Sequence, residues 1–343
     1  MQSPVATIRS RAYPDGMRIT GAVEHGRFAR KQEPPSKKRI GMPNLRFDDR
    51  VVVVTGGGRG LGRSYALLLA SLGAKVVVND LGGAIRGDGP DAEVAQSVVD
   101  EIRAAGGEAI ANSDTVATPE GGKAIIQAAL DTWGRIDALI HNAGNVRYGT
   151  IRDISYDDFK SVVDVHLMGA FHLVQAAFPH MCDANFGRIV LTSSIGGVYG
   201  NKRCVNYGVS KSGMIGLANV AALEGEDCNV KCNVIVPSAV TRMAEGIDIS
   251  QYPPMDPELV APVVGWLAHE ACSITGEMVA SIAGRVARMF IAETPGVYQP
   301  SWTVDEVDAR ANEWMDRSEI LDFGLHGHVD HIGYSFAMAS RKD

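Results

Sequence analysis

Two apolar patterns alternate along most of this chain: short unbroken runs, and residues at helical spacing. Val51–Val54 followed by Thr55 is a continuous β-branched run, the pattern of a parallel strand buried on both faces. After a glycine turn, GLGRSYALLLASLG carries apolar residues at helical spacing and stops at Gly73. KVVVND (75–80) repeats the strand pattern, 91–105 reads as a helix closed by Gly106-Gly107, and EAIAN (108–112) as a third strand. Thr118 as cap and Pro119 at the first position open a helix that runs to Trp133. IDALI (136–140), a long helix over 155–181, RIVLTSS (188–194), a helix over 205–226 and VKCNVIV (230–236) continue the series. Strands alternating with helices of this length predict an α/β fold with a doubly wound parallel sheet. The rhythm fades near Arg285. Beyond it, Thr303 and Glu306 form a capping box for a helix through Met315, while the His- and Gly-rich end shows no period.

The chain thus divides into residues 1–44, a single domain over 45–285 and a C-terminal helical extension over 286–343. The first segment holds nine Lys/Arg against three Asp/Glu, five prolines and little apolar periodicity, so it is expected to be a disordered basic tail or an overrun ahead of Met42. The whole chain has a formal charge of −7, so the remainder is strongly acidic and a poor binder of phosphate backbones. No nucleic-acid partner is expected. Apolar runs are strand-sized, well short of the ~18 residues of a membrane span, so no membrane partner is expected either. Cys182, Cys204, Cys228, Cys232 and Cys272 are odd in number and lack a CxxC, which predicts reduced thiols rather than a disulfide framework or a zinc site.

Two constellations carry chemistry. Thr55-Gly56-Gly57-Gly58-Arg59-Gly60-Leu61-Gly62 joins a buried strand to an amphipathic helix, where a pyrophosphate can meet backbone N–H groups at the positive end of the helix dipole. Asp80 closes the second strand and can accept from ribose hydroxyls while repelling a 2′-phosphate, which favours NAD; Arg59 argues the other way, towards NADP. Tyr207 and Lys211 are four apart on a helix and share a face, and Ser194 ends the fifth strand 13 residues earlier. A phenol has an unperturbed pKa near ~10, so it becomes a useful base only beside positive charge, here Lys211 and an oxidised nicotinamide.

Together TGGGRGLG, His141-Asn142-Ala143-Gly144, Ser194 and YGVSK resemble the short-chain dehydrogenase/reductase superfamily over roughly residues 48–285. VVVNDLGG, GRIDALIHNAG, VHLMGAFHLV, SSIGGVYGN and KCNVIVPSAVTRM are similar, within it, to the dehydrogenase part of the peroxisomal multifunctional β-oxidation enzymes, which oxidise (3R)-hydroxyacyl-CoA with NAD and are also described as hydroxysteroid dehydrogenases. The resemblance implies a Rossmann fold and the following roles. Gly56, Arg59, Gly60, Leu61 and Gly62 surround the pyrophosphate, Asp80 holds the ribose, and Asp114, Thr115 and Val116 line the adenine edge. Asn142, Ala143 and Gly144 line the cofactor, and Pro237, Val240 and Thr241 approach the nicotinamide carboxamide. Ser194 orients the reacting oxygen, Tyr207 is the base, and Lys211 tunes Tyr207 and binds nicotinamide ribose.

Two positions depart from the superfamily pattern. His141 replaces the first Asn of NNAG, read as a packing change. His166 replaces a frequent active-site Asn that contributes a backbone carbonyl to a proton relay, and it is carried as a catalytic candidate against plain helix packing. His326, His328, Asp330 and His331 read as a solvated end rather than a metal site, and no metal is expected. Met181, Met243, Met255 and Met289 read as apolar filler, and Trp302 and Trp314 as anchors of the C-terminal helix. The segment from Arg242 to Pro257 occupies the place of the superfamily's substrate loop.

The expected function is NAD-dependent oxidation of a secondary alcohol, an apolar alcohol or acyl thioester such as a 3-hydroxyacyl-CoA or a hydroxysteroid. An NADPH-dependent 3-oxoacyl reductase and a non-catalytic NAD-binding regulator are the alternatives. Lacking fused hydratase domains and a C-terminal SKL-type signal, the chain is expected to be a cytoplasmic homodimer or homotetramer.

Overall fold

The structure, a computed structural model, describes residues 45–83, 89, 91–239 and 253–340. Eight strands form one sheet: β1 (Val51–Thr55), β2 (Lys75–Asn79), β3 (Glu108–Asn112), β4 (Ala138–His141), β5 (Gly187–Thr192), β6 (Val230–Ser238), β7 (Met278–Ile282) and β8 (Arg285–Met289). Their order is β3-β2-β1-β4-β5-β6-β7-β8, parallel except for the antiparallel edge strand β8. The sheet reverses its direction of growth between β1 and β4, and this opens a crevice above the carboxyl ends of those two strands.

Both faces of the sheet are covered, as the unbroken valine runs require. Val52, Val54, Val76 and Val78 pack on one face against α1 (Gly60–Ser71), α2 (Glu93–Ala104) and α8 (Ala261–Ala268). Val51, Val53 and Val77 pack on the other against α3 (Pro119–Trp133), α5 (Gly169–Asp183) and α7 (Val205–Glu224). Burying each such valine is worth about 1.5–3 kcal/mol, and alternation along the strand divides that gain between two helix layers.

The long helix predicted over 155–181 spans Tyr156–Asp183 but is not uniformly α-helical. α4 (Tyr156–Val163) passes through a π turn at Asp164–Met168 into α5. By length and mean hydropathy this helix could cross a bilayer, yet Val162, Leu173, Ala177 and Met181 on it are fully buried in the protein core. The short α6 (Ile195–Val198) leads from β5 towards α7. The Thr118 cap accepts from the Gly121 amide at 3.1 Å, as predicted.

Past β8, the Thr303–Glu306 capping box is present, but its helix breaks at Arg310 into α9 (Val304–Ala309) and α10 (Ala311–Trp314) instead of running to Met315. The end that had no period is α11 (Gly327–Ser340), none of whose residues is buried. Links that hold this region to itself and to the domain include backbone bonds between Glu293 and Leu321, Arg288 to Asp322 at 3.4 Å, His331 to Glu293 at 3.3 Å and His326 to Glu226 at 3.0 Å. The two histidines therefore face carboxylates one to one. Such exposed pairs contribute little each, about 0–1 kcal/mol.

The cysteine expectation needs correction. Cys182 at the end of α5 and Cys228 just beyond α7 are joined as a disulfide, with Cα atoms 4.9 Å apart. Spacing could not disclose it, because 46 residues and two helices separate the partners. Cys204, Cys232 and Cys272 are buried free thiols.

Candidate active site

The crevice between β1 and β4 begins with the glycine turn. Gly56 has φ +62°, and a Cβ there would meet the Ala143 Cα at 2.8 Å, so the β4 loop can approach only a glycine. A side chain at 62 would collide with the Gly56 carbonyl, and one at 58 would sit 2.9 Å from the Asp80 carboxylate. The turn is a cradle that Cβ atoms would fill. Above it, α1 starts from an extended Arg59 that supplies no side-chain cap, and no acid stands in its first turn. These uncapped N–H groups suit a pyrophosphate.

Asp80 accepts from the Gly58 amide at 2.9 Å and from the Gly82 amide at 2.8 Å, which braces the turn against the end of β2. Arg59 reaches across to the Gly83 carbonyl at 3.1 Å, so its guanidinium is tethered at the rim. Asn79 donates to the Asp114 carbonyl at 2.9 Å; Asp114 is exposed, Thr115 half-buried and Val116 buried behind them. Asn142 donates to the Gly56 carbonyl at 3.2 Å. Pro237 lies near the end of β6, while Val240, Thr241 and positions 242–252 of the substrate-loop segment fall outside the described residues. The residues present fit a dinucleotide.

Beside this cradle stand the catalytic candidates, which the structure brings together. Ser194 follows β5 and caps α6, accepting from the Gly196 amide at 3.1 Å, and its hydroxyl hydrogen-bonds the Tyr207 phenol. Asn206 receives the Tyr207 amide at 2.8 Å and fixes the first turn of α7. One turn further, the buried Lys211 ammonium donates to the Thr192 carbonyl at 2.6 Å and stands 5.7 Å from the Tyr207 ring centroid. Ser193 donates to the Lys211 carbonyl at 2.7 Å. His166, in the π turn, packs edge-on to Tyr207 with centroids 5.3 Å apart.

The electrostatics differ from the simple expectation that Lys211 lowers the tyrosine. Desolvation raises the Tyr207 pKa above its ordinary 10, against a lowering by the Ser194 bond. Burial also pulls Lys211 down to about 7. Without the positive charge of an oxidised nicotinamide the pair rests as phenol and weakly held ammonium. His166 is held well below 6.5 by burial and by Lys211, so it is neutral. Sequence alone does not point to Asn145 or the Thr192 carbonyl, and it gives Thr55 and His141 no role beyond the glycine motif and packing. A histidine ending a fully apolar strand was the one available signal.

A parallel sheet with a glycine-turn cradle at its switch point, beside a Ser–Tyr–Lys cluster, defines a nicotinamide-dependent oxidoreductase. The chain belongs to the short chain dehydrogenase family, whose match covers residues 50–248; its members act on CH–OH groups. It is 50% identical over 260 residues to peroxisomal multifunctional enzyme type 2 of Drosophila melanogaster, covering 75% of this chain but 43% of that protein. A short-chain type dehydrogenase/reductase of Mycobacterium tuberculosis is 43% identical over 283 residues, covering 81% of this chain and 97% of its own length. The solved structure of the full-length Drosophila enzyme superimposes with a TM-score of 0.71 at 39% identity, covering 85% of this chain and 50% of that one. The chain therefore spans about half the length of the multifunctional enzyme it matches.

Proposed function

We propose that the protein is an NAD-dependent dehydrogenase of (3R)-3-hydroxyacyl-CoA thioesters. The observation that carries the dehydrogenase reading is the convergence of Ser194, Tyr207 and Lys211 on one point beside the glycine cradle. The acyl-CoA class is supported by the likeness to the multifunctional enzyme. Ser194 holds the substrate oxygen, and Tyr207 takes the hydroxyl proton at its phenolic oxygen. Lys211, backed by the Thr192 carbonyl, stabilises the tyrosine anion. Bound NAD supplies the hydride acceptor and a positive charge that favours phenolate. Glycine turn and Asp80 orient the cofactor so that little motion separates bound and reacting geometries.

A panel of (3R)- and (3S)-3-hydroxyacyl-CoAs, 17β-hydroxysteroids and simple secondary alcohols tests the reading. NADH should form with the (3R) thioesters and not with their (3S) partners. Steroid oxidation without any thioester turnover would remove the substrate assignment.

Cofactor choice follows from Asp80. Asp80→Ser removes the carboxylate that repels a 2′-phosphate, so the ratio of kcat/KM for NAD over NADP should fall by about 10-fold or more, a change worth ~1.4 kcal/mol. Because the same carboxylate braces Gly58 and Gly82, NAD affinity should fall as well. A wild-type preference for NADP would reverse the reading and point to Arg59.

A further inference from the structure

His141 ends β4 with no exposed surface, where an apolar residue would be the simple choice. Burial lowers its pKa to about 3, so the ring stays neutral at working pH. Its two nitrogens have different partners, and those partners fix the tautomer. Nε2 lies 2.9 Å from the His166 carbonyl, which can only accept, so Nε2 carries the hydrogen. Nδ1 is then bare and receives the Thr55 hydroxyl at 3.0 Å. The Thr55 oxygen accepts in turn from the amides of Asn142 at 3.2 Å and Ala143 at 3.3 Å. Every hydrogen in this buried chain has one direction.

The carbonyl that His141 holds lies in the π turn. There the Gly169 amide reaches back to Asp164, one residue further than in an α-helix. That extra residue sets where the His166 ring goes. The ring donates from Nε2 to the Asn145 carbonyl at 2.8 Å, packs over Gly144 where no Cβ would fit, and meets Tyr207 edge-on at 85°. One end of the chain is thus the first residue of the cofactor turn, and the other is the wall behind the catalytic tyrosine.

We infer that His141 is a positioning residue: it ties the π turn, and through it the His166 ring that backs Tyr207, to Thr55 at the base of the cofactor turn. The inference rests on the reading of Tyr207 as the base. It also replaces the packing-change reading of His141, since a mere filler would not need two oriented hydrogen bonds. His166 then contributes through its carbonyl and its ring position, with no titration of its own.

Two substitutions test this. His141→Phe keeps a ring and donates nothing; His141→Gln can still donate to the His166 carbonyl. Misplacement near a reacting group costs up to about 100-fold, so kcat in His141→Phe should fall about 10- to 100-fold with the KM for NAD within about twofold of wild type. His141→Gln should recover most of that loss. Hydrogen exchange on the cofactor-free protein gives a second readout: amides of residues 164–169 should exchange about tenfold faster in His141→Phe and near the wild-type rate in His141→Gln. Unchanged kcat or unchanged exchange in His141→Phe overturns the inference, as does a loss shared equally by kcat and NAD affinity. If His141→Phe does not fold, a 10- to 100-fold loss of kcat and about tenfold faster exchange in His141→Gln overturn it. Wild-type protein that oxidises no alcohol sinks the dehydrogenase reading instead, and the exchange data, taken without substrate, keep the two failures apart.

Discussion

Tyr207→Phe should lower kcat for every accepted alcohol by about 10²–10⁴-fold, the usual worth of a positioned acid–base group. The substitution removes one oxygen and keeps the ring that packs against His166. It also removes the partner of the Ser194 hydroxyl, which can turn to water or substrate. The cradle at Gly56–Gly62 and the Asp80 brace lie on other elements, so the Kd for NAD should change by less than about threefold, the size of a surface-type effect below ~0.7 kcal/mol. The pH dependence separates a base from a binding group. Oxidation consumes phenolate, so the wild-type rate rises with pH through the Tyr207 ionisation, which burial places above 10 in the cofactor-free protein and which a bound positive charge draws down. Tyr207→Phe should have no such limb. Turnover at the wild-type rate in this variant would refute the mechanism and leave a binding protein.

The parts of the site that sequence made legible are those built from neighbours along the chain. Gly56 to Gly62 must form a turn before a helix, Asp80 must end a strand, and Tyr207 with Lys211 must share a helix face; each follows from spacing within one element. The same reasoning gave both helix layers, because a valine run buried on both faces demands them. What stayed hidden is made by contacts between distant elements. Lys211 meets the Thr192 carbonyl, His141 meets the His166 carbonyl, and Cys182 meets Cys228 only because β4, β5, α5 and α7 converge. The π turn was hidden for a second reason. Apolar spacing over 155–181 reports which residues are buried, and it does not disclose which carbonyl each amide reaches. The region past β8 lacked a pattern because its helices bury almost nothing.

Lys211→Met should stabilise the cofactor-free protein at pH 6 while abolishing most of its activity. In the folded chain burial lowers the Lys211 pKa from 10.5 to about 7. Between those two values the unfolded chain binds the extra proton, so the stability of the wild type rises with pH across that window. Below about 7 the lysine is charged in both states, and folding bears the full cost of burying an ammonium whose hydrogen-bond partner among the described residues is the Thr192 carbonyl. Tyr207 acts the other way only at higher pH, since its raised pKa makes it lose its proton less readily in the folded chain than in the unfolded one. A methionine of similar length fills the site without a charge and removes the pH 7–10 rise. The stability gained at pH 6 should be on the order of a few kcal/mol, or a Tm higher by roughly 5 °C or more, and should shrink towards zero near pH 10. The Kd for NAD should rise in the same variant, because the ammonium that would bind ribose hydroxyls is gone. Thermal unfolding at pH 6, 8 and 10 with and without NAD measures both effects. A stability difference between the two proteins that does not vary with pH would show that the lysine sits in this pocket at no electrostatic cost, and the pull of a bound, positively charged cofactor on the Tyr207–Lys211 pair would lose its physical basis.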